Sequence, residues 1–261
     1  MKPILTVNNI SKSFGDKQVI KDISITLGRG ELVSILGVSG VGKTTLFNVL
    51  SGLTLPDSGN VILYPGTDEA GIGKVNADEV GIDITGKNGY LSYMLQKDLL
   101  LPHKTVIENA ALPLLLEHVP RKEALEKAGK EFKHFGIDGT QKQYPSELSG
   151  GMRQRVALLR TYLCNKGVAL MDEPFSALDT ITRTSMQQWY LDMMKDIKLS
   201  SLFITHDMDE AILLSDRIYI MKGSPATIVE EIIVDEKKPR TVEFTFTEKF
   251  LGYKKRIREL L

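Results

Sequence analysis

The stretch GVSGVGKT, Gly37–Thr44, decides the fold that this sequence predicts. It matches the pattern G-x-x-x-x-G-K-[ST] in full, follows the continuous apolar run ELVSILG and opens a helical segment. Glycines in such a loop let backbone amides point inward at a phosphate, and the helix N-terminus that follows favours negative charge. Lys43 would reach the outer phosphates, and the Thr44 hydroxyl would ligate magnesium. The alternative is a glycine-rich turn before a purely structural helix, which leaves the Lys and Thr unexplained.

Outward from this loop, the sequence alternates between strand and helix patterns. The apolar runs VALMDE at 168–173 and SLFITHD at 201–207 resemble ELVSILG and are typical of strands buried on both faces. A helical segment at 181–197 separates them, which is the alternation of parallel strands and crossover helices in an α/β fold. Further helical patterns lie at 105–137, which Pro113 and Pro120 break into shorter pieces, and at 149–163.

The two ends of the chain carry additional strand patterns. Residues 4–10 and 19–27 alternate as half-buried strands do, and residues 217–223 and 227–234 complete the sheet. The tail alternates again at Val242, Phe244 and Phe246, which predicts one more strand, before a basic helix that begins at Lys249.

Composition limits the classes of protein that fit. The 261 residues are 42% hydrophobic and 25% charged, which is typical of a globular chain with a sizeable core. Thirty-three basic residues balance thirty-three acidic ones, so no overall field favours nucleic acid or anionic lipid. No run reaches the ~20 apolar residues that span a bilayer, so we expect that this chain does not cross a membrane itself. The single cysteine, Cys164, excludes an internal disulfide and is interpreted as a small packing residue.

Polar groups end two of the apolar strands. Asp172 and Glu173 end VALMDE, and His206 follows the apolar part of SLFITHD. Beside a phosphate-binding loop, Asp172 would bind the magnesium shell and Glu173 would polarise an attacking water. His206 would hydrogen-bond a γ-phosphate or help to position the water. Taken alone, the acidic pair is equally well explained as a solvated strand end, and a lone histidine is more often structural.

Together these residues resemble the ATP-binding subunit of an ABC transporter over roughly residues 4–225. Six motifs occur in the family's order: the early aromatic Phe14, GVSGVGKTT, the glutamine of MLQKD, LSGGMRQR, LMDEP followed by SALD, and ITHD. The resemblance implies an α/β P-loop NTPase fold of the ABC ATPase type, with a mixed and mainly parallel sheet core. It also implies an N-terminal antiparallel β-subdomain and a helical subdomain. We expect the ATPase domain at 1–230, the helical subdomain at about 97–163 and a strand and helix tail at 231–261.

The resemblance also implies which residues bind ATP and Mg²⁺ within one chain. Phe14 would stack on the adenine. The triphosphate would be held by Gly37, Ser39, Gly40, Val41, Gly42, Lys43, Thr44 and Thr45. The magnesium ligands would be Thr44, Gln96 and Asp172, and the catalytic residues Glu173, His206 and Gln96.

A second loop, LSGGMRQR at 148–155, has phosphate-binding chemistry although the chain already holds a better phosphate loop. Met152, Val156, Leu159 and Leu163 would anchor the helix that follows it. In the family this loop faces the γ-phosphate of ATP held by the opposite subunit, which implies that role for Ser149, Gly150 and Gly151. Asp179 of SALD would link the two subunits. A tight helix entry is the structural alternative.

Two segments remain open to more than one interpretation. The segment between Ser58 and Gln96 is longer than in typical relatives, and we interpret it as an extended hairpin loop. Its acidic residues do not have the spacing of a calcium loop; they are Asp68, Glu69, Asp78, Glu79 and Asp83. The three leucines at 99–101 either lie in a surface loop that a membrane partner's helix covers or pack inside the helical subdomain.

Met152 in the signature, the segment after Gln96 and the C-terminal ending are similar to those of importers for nitrate, sulfonate and taurine. The resemblance implies a homodimer of ATPase subunits, peripheral on the cytoplasmic face of the cell membrane, with permease subunits and a solute-binding protein. No nucleic acid is expected. An exporter ATPase remains an alternative, and a chromosome-maintenance or DNA-repair ATPase is disfavoured because sustained heptads are absent. A scaffold that never hydrolyses ATP is disfavoured by Glu173, Gln96 and His206.

Overall fold

The computed structural model describes residues 2–64, 81–197, 199–238 and 240–261. Within these ranges ten strands form one sheet: β1 Pro3–Phe14, β2 Lys17–Gly28, β3 Leu32–Leu36, β4 Ser58–Leu63, β5 Ile82–Asp83, β6 Ser92–Met94, β7 Val168–Asp172, β8 Ser200–Thr205, β9 Arg217–Gly223 and β10 Ala226–Ile233. The helices are α1 Lys43–Leu50, α2 Val106–Ala110, α3 Leu112–Leu116, α4 Arg121–Glu131, α5 Gly150–Leu163, α6 Thr180–Ile197, α7 Met208–Leu214 and α8 Glu248–Leu260.

The sheet has an antiparallel part and a mainly parallel part. Its strand order is β5-β4-β1-β2-β10-β9-β3-β8-β7-β6. Neighbours among β5, β4, β1 and β2 are antiparallel, whereas neighbours among β9, β3, β8, β7 and β6 are parallel. β10 joins the two parts because it pairs antiparallel with β9 and parallel with β2. The predicted mixed α/β fold with an N-terminal antiparallel β-subdomain is therefore confirmed, and β9 and β10 complete the sheet from its middle.

The apolar runs form strands that are covered on both faces. Every residue of β3, β7 and β8 is buried. On β7, Leu170 packs in the core that includes α1, while its neighbour Met171 packs in the core that includes α5 and α6. Leu202 and Phe203 divide in the same way on β8. These strands are apolar at every position because a parallel sheet between two helical layers exposes neither face.

The helical region between β6 and β7 is divided by its prolines, as predicted. Pro113 lies in the first turn of α3 and Pro120 precedes α4, where a missing amide hydrogen costs no helix hydrogen bond. The leucines at 99–101 had two interpretations, packing inside the helical subdomain or exposure in a surface loop, and the structure shows one leucine in each situation. Leu100 is buried in the core of the helical region, whereas Leu99 is 51% exposed and has a φ of 45°.

The tail differs from the prediction at residues 242–246. Val242–Phe246 forms a 3-10 turn instead of a strand, because only Phe244 is buried, against Phe250 of α8, while Phe246 is 80% exposed. β10 agrees with the strand pattern at 227–234, since its pairing with β9 continues to Ile233. The α8 helix is present as expected, and it packs on α7 in one apolar cluster.

Arg240 connects this tail to the rest of the fold by hydrogen bonds. Its side chain is 2% exposed, and burial lowers the pKa of its guanidinium. The guanidinium donates to backbone carbonyl oxygens at the end of α7 and after β10, namely those of Ile212, Leu213, Ser215, Val234 and Glu236. Arg240 therefore supplies donors to helix-end carbonyls that would otherwise lack partners.

The long acidic segment lies mostly outside the described residues. Asp68, Glu69, Asp78 and Glu79 all fall within 65–80, so the hairpin interpretation is not tested. Asp83 is described, at the end of β5, where its carboxylate accepts a hydrogen bond from the Thr85 amide at 2.9 Å.

Candidate active site

The phosphate loop joins β3 to α1, as its sequence predicts. Gly42 has a φ of 120° directly before α1, in a region that L side chains rarely adopt, and the α1 N-terminus has no side-chain cap. Gly37 is also constrained, because a Cβ there would lie 2.5 Å from the Met221 carbonyl oxygen. Val41 packs its side chain toward the core. The first-turn amides of α1 are therefore left to an anion in the loop.

Lys43 lies across the same loop. Its ammonium donates to the carbonyl oxygens of Gly37, at 2.7 Å, and of Val38, at 3.0 Å. Burial lowers the pKa of this lysine, while the carboxylates of Glu173 and Asp172 act in the opposite direction. A half-desolvated ammonium held only by neutral carbonyls gains much from a phosphate, so the position suits an anionic ligand.

Thr44 and Asp172 meet where the loop approaches the end of β7. The Thr44 hydroxyl donates to Asp172 Oδ2 at 3.3 Å. Burial raises the pKa of Asp172, and the hydrogen bond from Thr44 partly offsets this rise. The described residues contain no cluster of three or more His, Cys, Asp or Glu side chains suited to a metal. One hydroxyl and one carboxylate fit Mg²⁺ that also takes water and phosphate oxygens.

Glu173 is the centre of the polar cluster. Its Oε2 accepts a hydrogen bond from Gln96 Nε2 at 3.2 Å, and its Oε1 lies 3.0 Å from His206 Nδ1. The backbone of Glu173 has a φ of 45°, which is uncommon for a residue with a side chain and is typical of functional positions. Glu173 thus contacts two residues that were predicted from separate motifs, at the carboxyl ends of β6, β7 and β8.

A cavity of about 310 Å³ lies between the loop and this cluster. Its lining residues are Val19, Ser39, Gly40, Gly42, Lys43, Thr44, Thr45, Gln96 and Glu173. Val19, from β2, was not predicted, because one apolar residue in a strand carries no motif. Phe14 is not part of the lining. It ends β1 with 53% of its surface exposed, and the Lys12 ammonium lies 5.5 Å from its ring centroid.

The second loop does not reach this cavity within the chain. Ser149 caps α5 by accepting from the Met152 amide at 3.3 Å, and both Ser149 and Gly150 are exposed. Gly150 and Gly151 form the first turn of α5, within the helical pattern predicted at 149–163. Val156 and Leu159 are fully buried on the anchoring face, with Met152 and Leu163 partly buried.

Asp179 lies close to this second loop. Its Oδ1 accepts from the Thr182 amide at 3.1 Å and so caps α6, and this hydrogen bond lowers the pKa of the carboxyl. The neighbouring Leu178 side chain is the nearest group to a Cβ built on Gly150, at 3.6 Å. The exposed α5 N-terminus and the SALD loop therefore form one surface, separate from the cavity.

Tyr93 is a site residue that the sequence did not identify. It lies on β6, beside β7, and its hydroxyl hydrogen-bonds Asn48 Oδ1 at 3.4 Å. Burial raises the pKa of Tyr93, and its hydroxyl in turn lowers the pKa of Asp172 by hydrogen bonding. The only sequence signal was its position three residues before Gln96.

Comparisons with known proteins agree with this geometry. A family model described as "ABC transporter" matches residues 20–176. The formylaminopyrimidine import ATP-binding protein ThiZ of Halalkalibacterium halodurans is 38% identical over 264 residues, covering 100% of this chain and 97% of that protein. The sulfate/thiosulfate import ATP-binding protein CysA of Thermosynechococcus vestitus is 36% identical over 233 residues, covering 87% of this chain and 66% of that protein.

Solved structures agree as well. One ATP-binding cassette of an ABC transporter superposes with a TM-score of 0.74 at 25% identity, covering 89% of this chain and 92% of that one. The dimeric structure of a bacterial ABC transporter cassette gives 0.69 at 25% identity, covering 89% and 100% of the two chains. None of the helices in the described part of this chain combines the length and apolar character needed to cross a bilayer.

Proposed function

Because the chain belongs to the ABC transporter family and is an ATP-hydrolysing subunit of it, we propose that it powers the import of a small solute. The importer direction is supported by the relatives, which are named as import ATP-binding proteins for a formylaminopyrimidine and for sulfate or thiosulfate. We further propose a cargo of the nitrate, sulfonate or taurine type, on the sequence features at Met152, after Gln96 and in the tail. An exporter ATPase is the alternative, because the permease decides the direction of transport.

The observation that carries the hydrolytic role is the contact of Glu173 with both His206 and Gln96 beside the phosphate loop. We assign Glu173 as the general base, whose carboxylate would take a proton from water at the mouth of the cavity. His206 holds Oε1 of this carboxylate and Gln96 holds Oε2, so both oxygens are oriented before a water arrives. Lys43 and the α1 amides would bind the outer phosphates, and Phe14 would stack on the adenine.

Magnesium fits the oxygen atoms that Thr44, Asp172 and Gln96 offer. When bound, Mg²⁺ would neutralise the charge that develops on the phosphates. Burial raises the pKa of Asp172, and the positive charge of Lys43 acts in the opposite direction, as a bound cation would. In this assignment Thr44 and Asp172, which hydrogen-bond each other, would hold the ion together with Gln96.

We also propose that two copies of the chain act as a homodimer. Ser149, Gly150, Gly151 and Asp179 lie outside the cavity of their own chain and are exposed, except for Gly151. An exposed helix N-terminus capped by a serine suits an anion presented by another molecule. In the dimer, this surface would cover the phosphate held by the partner, so each ATP would be enclosed by two chains.

The other partners follow from the importer role. We propose that the dimer binds permease subunits and lies peripherally on the cytoplasmic face of the membrane, with a solute-binding protein in the complete transporter. Leu99, which is half exposed beside the buried Leu100, supports a contact with the permease. We retain the division into an ATPase domain, a helical subdomain at about 97–163 and a tail, with the tail starting after β10.

The variant Glu173→Gln tests the proposed chemistry. It keeps the size of the side chain and removes the basic carboxylate, so ATP binding should persist, hydrolysis should fall by about a thousandfold and an ATP-bound dimer should accumulate. Turnover is measured by phosphate release, and the dimer by light scattering after size-exclusion chromatography. The matched control is Glu126→Gln, which removes an exposed carboxylate of α4 that pairs with Lys130. Hydrolysis by Glu173→Gln at the rate of this control would exclude Glu173 as the base.

A further inference from the structure

Two loops at the edge of the sheet carry the proposed hydrolytic residues. The β7 loop, residues 173–179, runs from Glu173 to Asp179, and the β8 loop consists of His206 and Asp207. Arg183, in the first turns of α6, contacts both loops. Its Nη2 donates to the Leu178 carbonyl oxygen at 2.9 Å, and its Nη1 lies 3.6 Å from Asp207 Oδ2.

Asp207 is fixed in place to receive this contact. Its Oδ1 caps α7 by accepting from the amides of Asp209, at 2.8 Å, and Glu210, at 3.2 Å. Its own amide donates to Thr205 Oγ1 at 3.0 Å. Because Oδ1 is engaged by the helix, Oδ2 is the oxygen that faces Arg183. The guanidinium therefore contacts a rigid point that is adjacent in the chain to His206.

The β7 loop is held at both of its ends. At the start, the Glu173 carbonyl oxygen accepts from the amide of Ser176, at 3.1 Å, and from its hydroxyl, at 3.0 Å. At the end, Arg183 holds the Leu178 carbonyl, one residue before Asp179. A shift of Asp179 would consequently move the guanidinium, and through it the Asp207 end of the β8 loop.

While the guanidinium makes these two contacts, one of its nitrogen atoms lacks a hydrogen bond within the described part of the chain. Its Nε is buried without a hydrogen-bond partner among the described residues, and so is Oε1 of Glu210. An unpaired buried donor is destabilising, and an arginine free to turn into solvent would avoid that cost. The side chain is only about one-third exposed, at 32%. Its orientation is thus set by the two loops it joins, unlike that of an ordinary surface ion pair.

We propose that Arg183 is a positioning residue for ATP hydrolysis, which fixes the backbone at Leu178 and Asp179 relative to Asp207, and so relative to His206 and Glu173. The proposal rests on the proposed roles of Glu173, His206 and Asp179. Asp179 lies on the surface that we assign to contact with the partner subunit. Through Arg183, binding of the partner at Asp179 therefore affects the positions of His206 and Glu173.

A double-mutant cycle between Arg183→Met and Asp207→Asn tests this role. Asparagine caps helices about as well as aspartate, so the second variant keeps α7 and removes only the charge that faces Arg183. Each single variant should lower kcat by about tenfold, while KM for ATP stays within about twofold of the parent. The double variant should be no worse than Arg183→Met alone, because both changes remove one connection.

Two further variants separate positioning from folding. Arg183→Lys should recover part of kcat, since its ammonium reaches one of the two loops but lacks the fork that joins both. The control is Arg256→Met, which removes an arginine on α8 whose Nη2 lies 2.9 Å from Glu230 and which should hydrolyse ATP normally. Thermal unfolding and fluorescent-nucleotide binding are measured for every variant. If Arg183→Met does not fold, Asp207→Asn and Arg183→Lys still report kcat and KM.

Three results would overturn the proposal: a kcat for Arg183→Met or Asp207→Asn equal to that of the control, losses that multiply in the double variant, or a KM that rises in step with the fall in kcat. These failures differ from a failure of the proposed chemistry, which appears as hydrolysis by Glu173→Gln at the rate of its own control. In that event Glu173 is wrongly assigned as the base, whatever the result of the double-mutant cycle.

Discussion

Replacing Glu210 by Gln should make the stability of this protein less dependent on pH. Glu210 is 4% exposed, and burial raises its pKa from 4.5 to about 8. The negative charges of Asp207 and Glu173 act in the same direction, while the Thr205 hydroxyl, at 2.9 Å, and the charge of Arg183 oppose them. The folded protein therefore keeps this carboxyl protonated at neutral pH, whereas the unfolded chain ionises it.

The sign of the effect follows from proton binding. Between the unfolded pKa near 4.5 and the folded pKa near 8, the folded protein binds more protons at this site, so its stability falls as pH rises. At about 1.4 kcal/mol per pKa unit, the loss between about pH 5.5 and about pH 8.5 is roughly 3 kcal/mol. Glutamine has a similar shape and no ionisable proton, so the variant lacks this loss.

The assay is urea unfolding of both proteins, followed by tryptophan fluorescence and circular dichroism across that pH range. All other titrating groups are common to the two proteins, so the difference between their unfolding free energies isolates Glu210. The slope of the unfolding free energy against urea concentration should be the same for both proteins, which would show that their unfolded states are comparable. The variant should gain stability relative to the parent as pH rises.

Curves of unfolding free energy against pH that run parallel for the two proteins would refute the reasoning. In that case Glu210 titrates in the folded protein as it does in the unfolded chain, despite its burial. A variant that gains stability relative to the parent as pH falls would also contradict it, because proton linkage requires the relative gain to come as pH rises.

Three other changes test separate parts of the structure. Lys43→Ala should weaken ATP binding by at least ~tenfold in calorimetry, since it removes the ammonium from the loop, and an unchanged affinity would reject the loop as the phosphate site. Gly150→Asp should leave ATP binding by the monomer intact but abolish dimer closure and turnover. A Cβ there makes only an ordinary contact with Leu178, at 3.6 Å, so the chain should still fold, and normal turnover would contradict the composite site. Arg240→Met should lower the free energy of unfolding by about 3 kcal/mol in urea, because several buried carbonyls lose their donor; a loss below about 1 kcal/mol would show that water replaces it.

Local pattern was enough to predict the elements that hold the phosphate loop and the strand-end side chains. The loop, the apolar strands around it and the residues Asp172, Glu173 and His206 each carry a signal within a few positions of sequence. What the sequence did not provide was their mutual geometry, such as the left-handed backbone of Glu173 that directs its carboxylate between Gln96 and His206. That arrangement depends on strands far apart in the chain.

The errors and omissions have a common physical origin. The period-two pattern at Val242, Phe244 and Phe246 predicted a strand, but a strand needs a partner edge, and only Phe244 finds a buried site. Arg183 and Arg240 were not identified, because a basic residue in a helix or loop has no distinctive neighbours. Their roles depend on carbonyl groups that tertiary folding brings together.

The position of β9 and β10 in the middle of the sheet has a consequence for synthesis of the chain. β10 pairs with β2 at Ala226 and Ile20, and β9 pairs with β3. The two strands that are synthesised last, β9 and β10, therefore lie between β2 and β3, which are synthesised early. Until about residue 233 has left the ribosome, β2 and β3 each retain a strand edge with unpaired amides and carbonyls. Such edges are templates for pairing with other chains. A nascent or truncated chain that ends before β9 is therefore expected to aggregate even though its phosphate loop is already complete.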